Sequence, residues 1–74
     1  MFIFTKKKLK KTYAEIEEKY QWSVSRLNYY SSRLQDELTE ADRKMTNDMY
    51  NYFLGMSSAY LVTKGKLDEL IHST

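Results

Sequence analysis

Apolar side chains recur every three or four residues along the first half of the chain, the spacing of one face of an α-helix. At 100° per residue they fall within an arc of about 80°. The stripe consists of Leu9, Tyr13, Ile16, Tyr20, Val24, Leu27, Leu34 and Leu38, with Ser31 in its one gap. Thr12 followed by Glu15 matches a capping box, which predicts a helix over about 12–38. Thr5 is a rival N-cap, but lysines in the first turn would oppose the helix dipole, so the start at Thr12 is favoured.

A second apolar stripe predicts a second helix, over about 40–71. Its members are Ala41, Met45, Met49, Tyr52, Phe53, Met56, Ala59, Tyr60, Leu67, Leu70 and Ile71. Thr39 can cap this helix, and Glu40 and Asp42 suit its positive end. No Gly or Pro enforces the break, so one long helix is the alternative, but two stripes of similar length can cover each other. Gly65 is a candidate end for the second helix, with Lys66 to Ile71 as a separate final turn.

This pattern predicts an all-α fold, a two-helix antiparallel hairpin over 12–74 preceded by an N-terminal arm over 1–11. A chain of 74 residues is one small domain, and such a chain buries only roughly 60–65% of its unfolded surface. It has no Cys and one His, so disulfides and Cys-based metal sites are excluded, and a partner chain is expected. Tyr50, Leu54 and Leu61 form a second apolar row on helix two. We therefore expect a homodimer that packs through this row into a four-helix bundle.

The charges divide the chain into a basic arm and an acidic body. Within six residues lie Lys6, Lys7, Lys8, Lys10 and Lys11, whereas from Thr12 onward ten acidic side chains face seven basic ones. The net charge of +2 is therefore the sum of a basic N-terminal segment and an acidic remainder of the chain. The lysines suit contacts with nucleic acid or an anionic surface, and a solvated tail that aids solubility is the simpler interpretation.

Neither a membrane span nor an export signal is visible in the sequence. No segment reaches the roughly 20 apolar residues that a transmembrane helix needs. The apolar residues Met1 to Phe4 precede the lysines, whereas a secretory signal places its charges first. We expect a cytoplasmic protein.

One row on helix one combines aromatic and guanidinium groups. Trp22, Arg26, Tyr29 and Arg33 are spaced by four, three and four residues, opposite the apolar stripe, and Tyr30 lies beside them. These residue types are enriched at the energetic centres of protein interfaces and also stack on nucleic-acid bases. A third interpretation places the aromatic rings inside a dimer. The row Met45, Met49 and Met56 is interpreted as core, with an adaptable binding groove as the alternative.

No constellation for catalysis is visible. Glu69 and His72 have the Glu-x-x-His spacing of carboxylate-bridged metal bundles, but helix one offers no inward Glu to complete such a site. Phosphate-binding loops and nucleophile motifs are absent from the sequence. We expect no enzyme, no metal and no cofactor.

The favoured hypothesis is a protein–protein interaction module, a small adaptor or inhibitor that binds a larger protein through Trp22, Arg26, Tyr29, Tyr30 and Arg33. The alternative is a dimeric nucleic-acid-binding regulator that uses the lysine arm. Small proteins of the first kind are often encoded by phages or mobile elements, so such an origin is part of the hypothesis.

Overall fold

The chain folds as two long antiparallel helices. The computed structural model describes residues 5–73, in which α1 spans Lys6–Arg33 and α2 spans Glu40–His72. The hairpin measures 54 × 18 × 14 Å. The all-α hairpin prediction is confirmed, and the alternative of one continuous helix is excluded. Within residues 5–73, neither helix has a stretch long and apolar enough to cross a bilayer.

The first helix begins after Thr5, the N-cap that the sequence pattern did not favour. Thr5 has extended backbone angles, and its side-chain oxygen accepts a hydrogen bond from the Lys8 amide at 3.2 Å. The longer helix buries Leu9, which is worth about 1.5–3 kcal/mol. Each exposed charge at a helix end is worth about 0.3–1 kcal/mol, so this burial offsets much of the lysine penalty. The lysines from Lys6 to Lys11 are therefore the first turns of α1 and not a separate arm, while residues 1–4 of the predicted arm lie outside the described part.

The first helix ends at Arg33, earlier than the predicted boundary at 38. The connection that follows it is held by a side chain of the second helix. The Arg43 guanidinium donates from Nη1 to the Leu34 carbonyl oxygen (3.0 Å) and from Nη2 to that of Asp36 (3.1 Å). Arg43 thus fixes the connection between the helices, while the last carbonyl groups of α1 accept from the backbone amides of Leu34, Gln35 and Asp36. The predicted cap of the second helix is confirmed, because the Thr39 side chain accepts from the Asp42 amide at 3.2 Å.

The interface between the helices follows a strict heptad pattern, with alternating steps of four and three residues along both helices. On α1 its positions, all buried or half-buried, are Leu9, Tyr13, Ile16, Tyr20, Ser23, Leu27, Tyr30 and Leu34. On α2 they are Thr46, Tyr50, Phe53, Ser57, Tyr60, Lys64, Leu67 and Ile71. Contacts between Glu17 and Lys64 and between Tyr30 and Phe53 fix the antiparallel register.

On α2 the buried face is rotated by one position from the predicted stripe. Met45 and Tyr52 are exposed, whereas Thr46 and Ser57 are buried. The Thr46 hydroxyl donates to the Asp42 carbonyl oxygen at 2.7 Å, and that of Ser57 donates to the Leu54 carbonyl oxygen at 3.1 Å. Because these hydroxyls are satisfied within their own helix, they can be buried at little cost. The interpretation of Met45, Met49 and Met56 as core is therefore wrong for Met45 and only half right for the other two, which are half-buried.

The second helix does not end at Gly65. It continues to His72 and is closed by Ser73, whose amide donates to the Glu69 carbonyl oxygen at 3.0 Å. Leu67 and Ile71 are half-buried in the last two turns. This burial outweighs the cost of about 1 kcal/mol for a glycine inside a helix.

Candidate functional site

The rings of both helices meet around Phe53, which is only 4% exposed. Trp22 and Tyr52 pack edge-on against Phe53, with ring centroids at 5.5 and 5.1 Å, and Tyr30 stacks on it at 5.8 Å. Tyr29 packs edge-on against Tyr30 at 5.0 Å. Trp22, Tyr29 and Tyr52 nevertheless remain 51–58% exposed. The buried Phe53 ring thus contacts two of the exposed rings directly and supports the third, Tyr29, through Tyr30.

Two arginines of α1 lie over these rings. The Arg26 guanidinium carbon is 5.8 Å from the ring centroids of Tyr29 and Tyr30 and 5.9 Å from that of Phe53. Arg33 lies 6.0 Å from the Tyr29 ring centroid. These distances are at the outer limit of cation–π attraction. Within residues 5–73, neither arginine forms an ion pair. We call Trp22, Arg26, Tyr29, Tyr30, Arg33, Tyr52 and Phe53 together the aromatic–arginine face.

The methionines of α2 line the same side of the hairpin. In an antiparallel pair of helices, residues that directly precede equivalent interface positions share one side. Tyr29 precedes the interface residue Tyr30, and Met45 precedes Thr46 in the same way. Met49 and Met56 lie between this row and the interface, so the aromatic–arginine face is bordered on α2 by thioether side chains.

The middle of the hairpin is almost free of charge. On α2 no charged side chain occurs from Met49 to Thr63, a length of about 22 Å. On the facing part of α1, from Tyr20 to Ser32, Arg26 is the only charged residue. Of the eight large apolar side chains that are exposed within residues 5–73, six lie in this central belt: Trp22, Tyr29, Tyr52, Leu54, Leu61 and Val62. Low charge combined with exposed aromatic and apolar groups is the composition of an interface centre.

The row predicted for second-face packing is divided by the fold. Tyr50 is an interface residue of the hairpin and is half-buried. Leu54 and Leu61 are exposed on the side opposite the aromatic–arginine face, next to half-buried Val24. The hairpin therefore carries two separate apolar surfaces.

An ion pair between the helices lies toward the lysine-rich end of the hairpin. Lys64 pairs with Glu17, and its ammonium nitrogen lies 4.5 Å from the Tyr20 ring centroid and 5.7 Å from that of Tyr13. Gln21 Nε2 donates to Glu17 Oε1 at 2.9 Å. The hydrogen bonds from Lys64 and then from Gln21 lower the pKa of Glu17, and the bond to Glu17 raises the pKa of Lys64. Both groups are therefore charged at neutral pH.

The other candidate residues lie apart from the aromatic–arginine face. Exposed lysines surround the first two turns of α1, separated from the face by Glu15, Glu17 and Glu18. His72 Nδ1 lies 2.8 Å from the Asp68 carbonyl oxygen and 3.3 Å from its carboxylate. No group of three potential metal-ligating side chains is found in the described part of the chain.

The structure brings together all five side chains that the sequence suggested for partner binding, but the sequence did not point to Tyr52 and Phe53 as their neighbours. The sequence predicts both as core residues in the stripe of helix two that covers helix one; Phe53 is buried as predicted, whereas Tyr52 is exposed. Neither family models nor curated proteins nor solved structures yield a match to this chain. The function is therefore inferred from the surface described above.

Proposed function

We propose that this protein is a non-enzymatic interaction module, a small adaptor or inhibitor that binds a larger protein through the aromatic–arginine face. The observation that supports it best is the central belt, where Trp22, Tyr29 and Tyr52 are each about half exposed on a stretch of the two helices in which Arg26 is the only charged residue. Exposed rings of this size are costly to hydrate, and their burial against a partner is favourable.

The rigidity of these rings favours binding. Trp22 and Tyr52 are positioned by Phe53, and Tyr29 is positioned by Tyr30. Side chains that already occupy their bound positions lose little conformational entropy when a partner arrives. Hot-spot residues of such interfaces typically cost about 2–4 kcal/mol when they are truncated to alanine.

The test compares variants inside and outside the aromatic–arginine face. Trp22→Ala and Arg26→Ala should abolish capture of a protein partner from nuclease-treated lysate of the source cells, with helicity by circular dichroism retained. Val62→Ala is the control, because Val62 is at least as exposed as Trp22 but belongs neither to the aromatic–arginine face nor to the surface of Leu54 and Leu61. Equal capture by all variants would refute the proposal.

A photo-cross-linking residue gives a second readout that does not depend on affinity. At position 29 it should form a covalent adduct with the captured protein. At position 58, where Ser58 is exposed on the other side of the hairpin, it should not. Adducts with the captured protein at position 58 alone would move the interface away from the aromatic–arginine face.

The opposite surface supports a second part of the proposal, a homodimer in which two hairpins pack through Leu54 and Leu61 into a four-helix bundle. A two-fold axis would pair this surface with itself without opposing charges, because no charged residue occurs between Met49 and Thr63. Sedimentation at two micromolar concentrations should give a dimer mass, and Leu61→Glu should give the monomer. A monomer in both samples would remove the bundle from the proposal.

The lysines of α1 support the second candidate function, nucleic-acid binding. Lys6, Lys7, Lys8, Lys10 and Lys11 are all exposed on two turns. Phosphate contacts of this kind are strongest at low salt, so a mobility assay with RNA and DNA at about 50 mM salt is the most sensitive test. No shift under that condition would reject this candidate and leave the interaction module unaffected.

A further inference from the structure

We infer that the aromatic–arginine face receives an amphipathic helix of another protein, with Asp and Glu along the borders of its apolar stripe. This inference rests on the proposed function and names the kind of partner. Residues 5–73 form only helices, so this part of the chain offers no strand edge to which a peptide could add. The partner must be held by side chains.

The spacing of the side chains on this side favours a helical partner. Trp22 and Tyr29 are seven residues apart on α1, and so are Arg26 and Arg33. On α2 the same interval separates Met49 from Met56 and Met45 from Tyr52. Rows with this repeat run along both helices on either side of a groove. A third helix carries apolar side chains at the same interval and can insert them along the groove as in a three-helix coiled coil.

The charges of the groove favour acidic borders on that helix. Arg26 and Arg33 project from α1 beside the rings, and Lys19 continues their row toward the N-terminus. The facing positions Met49 and Met56 bring no carboxylate, and within the described residues neither arginine is paired. A guanidinium positioned over aromatic rings keeps its N–H donors for a bidentate carboxylate. Acidic residues next to the partner's apolar stripe would supply it.

A second copy fits this groove less well. A two-fold axis through the groove would place the row of Lys19, Arg26 and Arg33 in one copy against the rows that border the groove in the other copy. None of these rows contains an acidic residue. Opposed like charges weaken an interface and select against that pairing. The uncharged surface of Leu54 and Leu61 is the better place for self-association.

Nucleic acid also fits this groove less well than an acidic helix. The thioether groups of Met45, Met49 and Met56 suit apolar side chains better than phosphates. Along α1, Lys11 lies about 22 Å from Arg26, and the intervening turns carry Glu15, Glu17 and Glu18. A phosphate backbone that followed α1 from the lysines to the groove would pass these carboxylates.

The test is a selection of peptides against the full chain. The library is a helical peptide of three heptads with Leu at the stripe positions and a free choice of Glu, Gln or Lys at the positions that border the stripe. Binding is followed by the fluorescence of Trp22, the only tryptophan of the chain. We expect selected peptides to carry Glu at the border positions and their affinity to fall when salt is raised from about 50 to 500 mM.

Charge-removing variants test the role of the arginines directly. R26Q combined with R33Q should lower the affinity for the selected peptides by at least tenfold. K44Q is the matched control, because Lys44 is exposed on the other side of α2, and it should leave binding unchanged.

Three outcomes would overturn the inference. Peptides that bind through Trp22 but carry neutral or basic borders would refute the acidic helix while the interaction module stands. Binding that is equal in R26Q/R33Q and K44Q would remove the arginines from recognition, with the same consequence. Displacement of the peptides by single-stranded RNA, lost in R26Q/R33Q, would assign the groove to nucleic acid. Failure of the proposed function would be seen separately, as unchanged lysate capture by Trp22→Ala.

Discussion

Phe53→Ala is the substitution that should weaken the hairpin most. Phe53 is 4% exposed and is the ring against which Trp22, Tyr30 and Tyr52 pack. Removing a buried phenyl ring costs about 3–5 kcal/mol, since its transfer energy is lost and a cavity remains. A domain of this length has a total stability of about 4–11 kcal/mol. The variant should therefore lose from about a quarter to all of its stability.

Urea unfolding provides the assay, at one fixed chain concentration so that self-association does not change between samples. Helicity by circular dichroism and the fluorescence of Trp22 should report the same transition, shifted to lower urea in the variant at an unchanged slope. Val62→Ala is the control, because Val62 is 60% exposed on the same helix and should change stability by less than about 0.5 kcal/mol. A loss below about 1 kcal/mol for Phe53→Ala, or equal losses in both variants, would show that the cluster around Phe53 does not hold the helices together.

Three further changes test other parts of the fold. Gly55→Ala and Gly65→Ala should each raise the free energy of unfolding by about 0.5–1 kcal/mol in urea, because both glycines are helical and an added Cβ has nothing within 4 Å; a loss would contradict this. Arg43→Ala should cost about 1–2 kcal/mol through its two hydrogen bonds to the connection after α1, whereas Lys44→Ala should cost little; equal thermal shifts would refute the role of Arg43 in holding this connection. Glu17→Gln should lower the melting temperature at neutral pH and leave it unchanged well below the ordinary glutamate pKa. The lowered pKa of Glu17 means that its ionised form stabilises the fold above that range, and this contribution is lost as the pH falls through the folded value; a difference that persists in acid would refute it.

The helix count, the cap at Thr39 and the antiparallel arrangement could be predicted because they follow from local rules. A capping threonine with acidic residues in the next turn can be recognised from four consecutive residues. A stripe of apolar residues with helical spacing can be recognised without knowing the partner helix. The end of α1 could not be predicted in this way, because the connection after it is held by Arg43, which lies seven to nine residues away from the carbonyl groups that it binds.

The rotation of α2 could not be predicted from hydrophobicity. Met45 and Met56 are more apolar than Thr46 and Ser57, yet the hydroxyl residues are the buried ones. Which face turns inward depends on how closely the two helices approach, and a small buried side chain with a satisfied hydroxyl permits close approach. That property belongs to the pair of helices and not to either sequence alone.

The candidate site was predicted on α1 and missed on α2 for the same reason. The spacing of Trp22, Arg26 and Tyr29 reveals a shared row without any structure. That Phe53 lies beneath them depends on the register, which follows from the connection between Arg33 and Glu40 and from the pairing of the helices. A pattern on one helix can identify a surface, but only the pairing of two helices identifies what supports it.

The buried serines and the exposed rings have a common cause. Ser23 and Ser57 occupy interface positions in the middle of the hairpin, and each is directly beside a large apolar residue, Trp22 or Met56. A rotation of α1 by one position would bury Trp22 in place of Ser23, but it would also bring Lys19 and Arg26 into the interface in place of Tyr20 and Leu27. At the two central positions of Ser23 and Ser57 the hairpin therefore keeps a small residue inside and leaves its large neighbour at the surface. That arrangement is favourable when the exposed rings are covered by another chain, and it is the physical reason to expect stability and partner binding to depend on the same residue, Phe53.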